Sequence, residues 1–190
     1  MKNSVILLIC PAELRYMPYV KQYADLFERE GIPYDVVYWE KSGGLAQGPD
    51  NHIIFHSGLE AGDSKGKKFL SYFRFTRFVK RAIEKGNYQG VVVFTVQEAL
   101  MLESYVLRNF SGRYVIDIRD YSPSLKLPFA EQRFNRVLEK SALNVVSSNG
   151  FARWIPDGVR YVVSHNVLKE DLDKSRISGD IAAIQSVPNP

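Results

Sequence analysis

Apolar and polar positions alternate in blocks along this chain, and the blocks read as strands and helices in turn. Residues 5–10 form an unbroken apolar run, the signature of a strand covered on both faces of a parallel sheet. Met17, Val20, Ala24 and Phe27 then recur at helical spacing, and Gly31 followed by Pro33 stops that helix. Residues 34–39 read as a second strand and 53–56 as a short third one. Between them, Ser42-Gly-Gly44 and Gly48-Pro-Asp50 mark a mobile loop. The pattern then predicts a long helix over 66–85 ended by Gly86, a strand over 91–95, a helix over 97–110 and a strand over 114–117. A helix over 129–142, a strand over 144–147, a short helix and a last strand over 161–164 follow. Strands alternating with helices throughout predict an α/β fold: a doubly wound, mostly parallel sheet of six to seven strands, helices on both faces, Rossmann-like.

The 190 residues suit one such domain, expected over 1–167. Beyond Val167 the pattern fails, and 168–190 reads as a linker or fraying terminus. With 45% hydrophobic and 24% charged residues, neither a disordered nor a fibrous class fits. The single cysteine, Cys10, lies in the first apolar run and is expected to be a core thiol in a reducing compartment. That run is too short for a transmembrane helix and lacks a signal-peptide cleavage pattern, so a cytoplasmic location is expected.

Charge is concentrated rather than spread. The net charge is +4, but residues 65–85 alone carry +7, leaving −3 for the rest. On a helical wheel, Lys67, Arg74, Arg77, Arg81 and Lys85 fall on one arc, and Phe69, Tyr72, Phe73, Phe75, Val79 and Ile83 fill the other side. One reading is an aromatic face packed on the sheet beneath a solvated basic face. The sharper one is peripheral contact with the anionic inner face of a membrane through Arg74, Arg77 and Arg81, with Phe75 or Phe78 dipping in. Nucleic acid is not expected as a partner, because no nucleic-acid module accompanies the patch.

Ligands of open doubly wound sheets bind beyond the carboxyl ends of the strands, so chemistry is sought just after each strand. Those positions are Pro11-Ala-Glu-Leu-Arg15, His56-Ser-Gly58, Thr95-Val-Gln-Glu98, Asp117-Ile-Arg-Asp-Tyr121, Ser147-Ser-Asn149 and His165-Asn166. No glycine-rich turn follows the first strand, which argues against a dinucleotide dehydrogenase, and the absence of a P-loop motif removes P-loop enzymes. Three scattered histidines and one cysteine offer no paired spacing for a metal, so none is expected. Candidate binding residues are Glu13, Arg15, Thr95, Gln97, Glu98, Arg119, Ser148 and His165, with Asp120 the candidate catalytic group. Each has a bland alternative: Glu13, Arg15 and Glu98 as helix-end charges, Asp120 as a turn cap, Arg119 in a surface ion pair, His165 as a structural imidazole.

Four stretches together resemble the N-terminal domain of GT-B-fold glycosyltransferases, particularly the family-4 type of capsular and lipopolysaccharide biosynthesis. They are Val5-Ile-Leu-Leu-Ile-Cys-Pro11, Tyr114-Val-Ile-Asp-Ile-Arg-Asp-Tyr-Ser-Pro123, Leu143-Asn-Val-Val-Ser-Ser-Asn-Gly-Phe151 and Tyr161-Val-Val-Ser-His-Asn166. The resemblance implies that this chain binds the acceptor, a growing and lipid-linked glycan. It also implies that a nucleotide-sugar co-substrate binds mainly to a second domain absent from this sequence, and that the chain alone is inactive. Arg119 and Asp120 then match the loop facing the reacting sugar, and Glu13 and Arg15 the loop after the first strand. The family's glycine pair after that strand is absent, and its histidine before the aspartate is Arg119 here. The rival expectation is a complete, non-catalytic α/β binding or interaction module.

Overall fold

A computed structural model describes residues 6–41, 48–58 and 62–165. Seven strands form one sheet: β1 (Ile6–Cys10), β2 (Tyr34–Glu40), β3 (His52–His56), β4 (Gly90–Phe94), β5 (Tyr114–Ile118), β6 (Leu143–Val146) and β7 (Tyr161–Val163). Their order is β3-β2-β1-β4-β5-β6-β7, and every pairing is parallel. The chain winds from β1 out to β3, then crosses back over β1 to start β4 and winds the other way. With right-handed crossovers, that reversal places α1 (Val20–Arg29) on one face and α2 (Lys65–Gly86), α3 (Val96–Asn109) and α4 (Ala130–Glu139) on the other. A short α5 (Asn149–Ala152) follows β6.

Alternation along the central strands supplies both cores. Leu7, Ile9, Val91, Val93, Ile116 and Ile118 face α2, α3 and α4, while Leu8, Cys10, Val92 and Phe94 face α1. The continuous apolar run over 6–10 is therefore a consequence of two covered faces. Cys10 is wholly buried, and burial pushes its thiol pKa up, with the negative charge of Asp117 adding to it.

Several boundaries differ from the sequence reading, each for a local reason. Met17 is buried but precedes α1: the chain first makes a 3-10 turn over Leu14–Tyr16. The residue that ends α2 is Asn87, in the left-handed conformation at φ 52, and not Gly86. Gly86 is still helical, and a Cβ there would come within 2.2 Å of the Tyr88 ring, whose hydroxyl donates to Asp35 at 2.6 Å. α4 stops at Glu139, and the Ala142 amide donates to the Tyr114 carbonyl at 2.8 Å, starting β6. Residues 1–5, the Ser42-Gly-Gly44 stretch and everything from Asn166 onward, including the expected linker 168–190, lie outside the described residues.

The basic helix departs most from expectation. Its 22 residues span about 33 Å, whereas strands of five to seven residues span about 17–23 Å. α2 therefore overhangs the sheet at its N-terminal end, and no residue of it before Ser71 is buried. Phe69 and Phe73, expected to face the sheet, are 71% and 54% exposed. Phe75 and Phe78, which the membrane reading sends outward, turn inward; for Phe75, with Val79 and Ile83, this is the packed face of the other reading. Phe75 is fully buried and stacks on Trp39 at 5.5 Å, and Phe78 rests on Phe55 at 5.3 Å. Truncating Phe75 to alanine should cost about 3–5 kcal/mol in urea unfolding. Phe73→Ala should change stability by no more than about 0.5 kcal/mol.

Candidate functional site

All seven strands run the same way, so the segments that follow them emerge on one edge of the sheet. The switch point on that edge lies between β1 and β4: Glu13 follows β1, Thr95 and Gln97 follow β4, and Asp120 follows the next strand, β5. Glu13 is buried and pairs with Arg15, whose side chain is 62% exposed. Thr95 leaves β4 at φ 78, unusual for a β-branched residue, and its hydroxyl accepts the Glu98 amide at 3.4 Å as the N-cap of α3. Gln97 is half-buried in the first turn of α3, and Asp120 is exposed at the end of β5. Ser148 and His165 are on the same edge but two and three strands beyond β4, on the order of 10–15 Å away.

Two candidates turn inward. Arg119 was expected on the loop or in a surface ion pair, yet it is only 4% exposed. Its Nε donates to Asp117 Oδ1, Nη2 to Asp117 Oδ2 at 2.7 Å and Nη1 to the Ser164 carbonyl at 2.6 Å. The guanidinium also lies over the Tyr19 ring at 4.8 Å, while Tyr23 donates its hydroxyl to Asp117 and Ser147 donates to the Arg119 carbonyl at 2.9 Å. Burial works against the charged form of Arg119, but the Asp117 hydrogen bonds outweigh it and hold its pKa above the ordinary value. Burial raises the Asp117 carboxyl, with Arg119 and Tyr23 opposing. Since arginine keeps its charge, the acceptor-only carboxylate is the form that fits three donors. The turn after Asp120 is capped by Ser122, not by Asp120.

Glu98 is the second. Its side chain is fully buried between α3 and α2, where Thr76 donates to Oε1 at 3.3 Å and Oε2 has no partner among the described residues. Burial pushes its carboxyl up to about 8, opposed by the Thr76 hydroxyl and the Lys80 charge.

Sequence position alone missed Lys41. It follows β2 directly and lies over the rings of Trp39 at 4.7 Å and Tyr72 at 5.7 Å. Burial lowers its pKa, with the Glu13 charge opposing, so this ammonium and that carboxylate share one end of the edge. The signal available was its place immediately after a strand. Of the histidines, His52 meets Tyr38 edge-on at 5.5 Å with its pKa lowered by burial, and His56 and His165 are exposed.

The same edge carries unusual apolar exposure. Tyr16, Phe69, Leu70, Phe73, Tyr121, Leu127 and Phe129 all lie in segments at the carboxyl ends of the strands, against three exposed large hydrophobic residues elsewhere among the described residues. Phe129 is 74% exposed and holds φ 61, a strained conformation for a bulky residue. Among the described residues there is no cluster of metal-ligating side chains, and no helix is long and apolar enough to cross a membrane.

No protein-family model matches the sequence, and no curated protein matches it. Solved structures do match in fold. A sucrose-phosphate synthase fragment from Thermosynechococcus elongatus aligns at a TM-score of 0.60 with 12% identity, covering 95% of this chain and 99% of that one. The longer Thermosynechococcus elongatus sucrose-phosphate synthase aligns at 0.58 with 10% identity. Phytolacca americana UGT2, complexed with UDP-2fluoro-glucose and pterostilbene, aligns at 0.52 with 6% identity. This chain spans 53% and 57% of the latter two. The fold is thus the GT-B-like, Rossmann-like one of glycosyltransferase domains, without distinction in favour of the family-4 type.

The buried ionisable groups make two predictions. Arg119→Ala leaves the buried Asp117 without its counter-charge and should cost about 3–5 kcal/mol in denaturant unfolding. For Glu98, the unfolded chain loses its proton near the ordinary 4.5 but the folded chain keeps it to about 8. Its contribution to native stability therefore declines as pH rises through that window and levels off above it. Glu98→Gln should remove this decline and unfold later than the parent at pH 8, by on the order of a few kcal/mol.

Proposed function

We propose that this chain is the acceptor-side lobe of a glycosyltransferase that moves a sugar from a nucleotide donor to a lipid-linked glycan. In this reading residues 1–167 form the lobe, 168–190 lead toward a second, donor-binding lobe, and reaction occurs between the two. The observation that carries it is the strand-end edge, which combines polar groups at the switch point with most of the exposed apolar side chains. An isolated module has no reason to concentrate its uncovered apolar surface there, whereas a lobe that closes over a substrate does. The span of about half the length of two structural neighbours agrees with a missing lobe.

Within this reading Asp120 is the exposed carboxylate that accepts the proton of the attacking acceptor hydroxyl. Glu13, Thr95 and Gln97 orient that acceptor, with Ser148 and His165 meeting units further along it. Arg15, exposed and bearing paired donors, meets its phosphate or carboxylate. Arg119 supports Asp120 from beneath, and Glu98 fixes the α3 turn that presents Thr95 and Gln97. No metal or organic cofactor is assigned.

The overhang of α2 favours a peripheral position on an anionic membrane from the cytoplasmic side. Phe69, Leu70 and Phe73 replace Phe75 and Phe78 as the side chains to enter lipid, with Arg74, Arg77 and Arg81 toward the headgroups. This places the apolar end of a lipid-linked acceptor beside the strand-end edge.

Two experiments test the proposal. The lobe-complete protein, assayed with a panel of nucleotide sugars and lipid-linked acceptors, should release nucleotide, while the 190-residue chain alone should not. Asp120→Asn should lower kcat by about 10²–10⁴-fold. Failure of the lobe-complete protein with every donor overturns the transferase reading. In sedimentation, binding to vesicles rich in anionic lipid should be lost on changing Arg74, Arg77 and Arg81 to glutamate, or Phe69 and Phe73 to serine. Unchanged sedimentation overturns the membrane position.

A further inference from the structure

The β5 side of the same edge holds a concavity that none of the candidate residues lines. It has a volume of about 370 Å³, within the range of about 300–1,000 Å³ usual for small-molecule sites. Its wall is aromatic: Tyr121, two residues past Arg119, meets Trp154 edge-to-face at 5.2 Å and 64°. Phe151 props Trp154 from another side at 5.0 Å, so the indole is held in place rather than free to collapse into the space. The floor, with Phe134 and Ile155, is apolar and buried.

The polar side chains around it decide what would fit. Glu131, Asn135 and Arg153 all line the cavity. Neither Glu131 nor Asn135 has a side-chain hydrogen bond among the described residues, and Arg153 has only the face of Trp154, at 5.8 Å. Together they offer acceptors, donors and one charge of each sign. An anion would meet Glu131 and a cation would meet Arg153, whereas a neutral polyol satisfies both. Each sugar hydroxyl both donates and accepts, which matches a mixed set of this kind. The C–H face of a pyranose ring is apolar and suits the aromatic wall.

We propose that this cavity is a saccharide subsite that takes a neutral hexose unit, separate from the reacting position near Asp120. This rests on the acceptor being a glycan. Because Tyr121 adjoins Asp120 in the chain, one extended acceptor would place its terminal sugar at the switch point and an inner unit against Trp154.

The test is a nuclear magnetic resonance titration of the 190-residue chain with methyl glycosides of glucose, galactose, mannose and N-acetylglucosamine. The chain has two tryptophans, so two indole N–H signals report. Trp154 lines the cavity, and Trp39 is wholly buried with its Nε1 donating to Ser57 at 2.6 Å, which makes it an internal control. The expected result is a saturable shift of the Trp154 signal and of the Tyr121 and Arg153 amides, with Trp39 unmoved. Glu131→Ala and Asn135→Ala, which remove no buried apolar group, should each weaken binding by roughly tenfold, and Trp154→Ala should abolish it. Absence of a saturable response to all four glycosides overturns the subsite. So does binding that survives both Glu131→Ala and Asn135→Ala, since the sugar would then sit elsewhere. Neither result touches the transferase reading, which stands or falls on nucleotide release by the lobe-complete protein.

Discussion

The Arg119 guanidinium is where the strand-end edge is tied together. A carboxylate from β5, a carbonyl just past β7 and the ring of Tyr19 ahead of α1 all converge on it, while Ser147 past β6 binds its backbone. Parallel strands end in loops that have no ladder to hold them, and Arg119, through its guanidinium and its carbonyl, ties the loops after β1, β6 and β7 to its own. A buried ion pair of this kind adds little net stability compared with an apolar replacement, because both charges lose water. Its contribution is positional: it fixes the height and direction of the peptide carrying Asp120 relative to β1, β6 and β7. A site that must align groups from several strands depends on such a fixed frame.

The architecture was largely legible in the chain. Apolar runs bounded by Gly, Pro and Asn gave all seven strands, while their order in the sheet, with its reversal at β1, is visible only in the structure. Side-chain direction was not legible. Arg119 lies one residue beyond β5 and Glu98 three residues into α3, both positions from which a side chain can face outward or inward. What turns them inward is tertiary: the Ser164 carbonyl and the Tyr19 ring close on Arg119, and α2 closes over Glu98. None of these neighbours is visible from local spacing. The α2 wheel failed for a related reason, since helical periodicity says which residues share a face but not how far the sheet beneath them extends.

The comparison with solved structures fits this division. Identities of 6–12% alongside TM-scores of 0.52–0.60 mean that the layered frame persists where the side chains on its edge do not. Fold fixes which segments border the ligand and leaves open which residues they carry, so the chemistry must be argued from the side chains present. Here those include Lys41 between two aromatic rings, a carboxyl held neutral at Glu98 and an aromatic corner at Trp154, none of which the fold alone requires.

The strand order also bears on how the molecule assembles during synthesis. β1 is an interior strand, yet its neighbour β4 begins at Gly90, after two further strands and two helices have been made. Until then the apolar ribbon from Ile6 to Cys10 has a partner on one side only, β2. Closing the centre of the sheet is a long-range event, and such events are slow compared with helix formation. The nascent chain thus passes through a stage with one sticky margin uncovered, the stage at which a ribosome-bound chaperone would have most to protect.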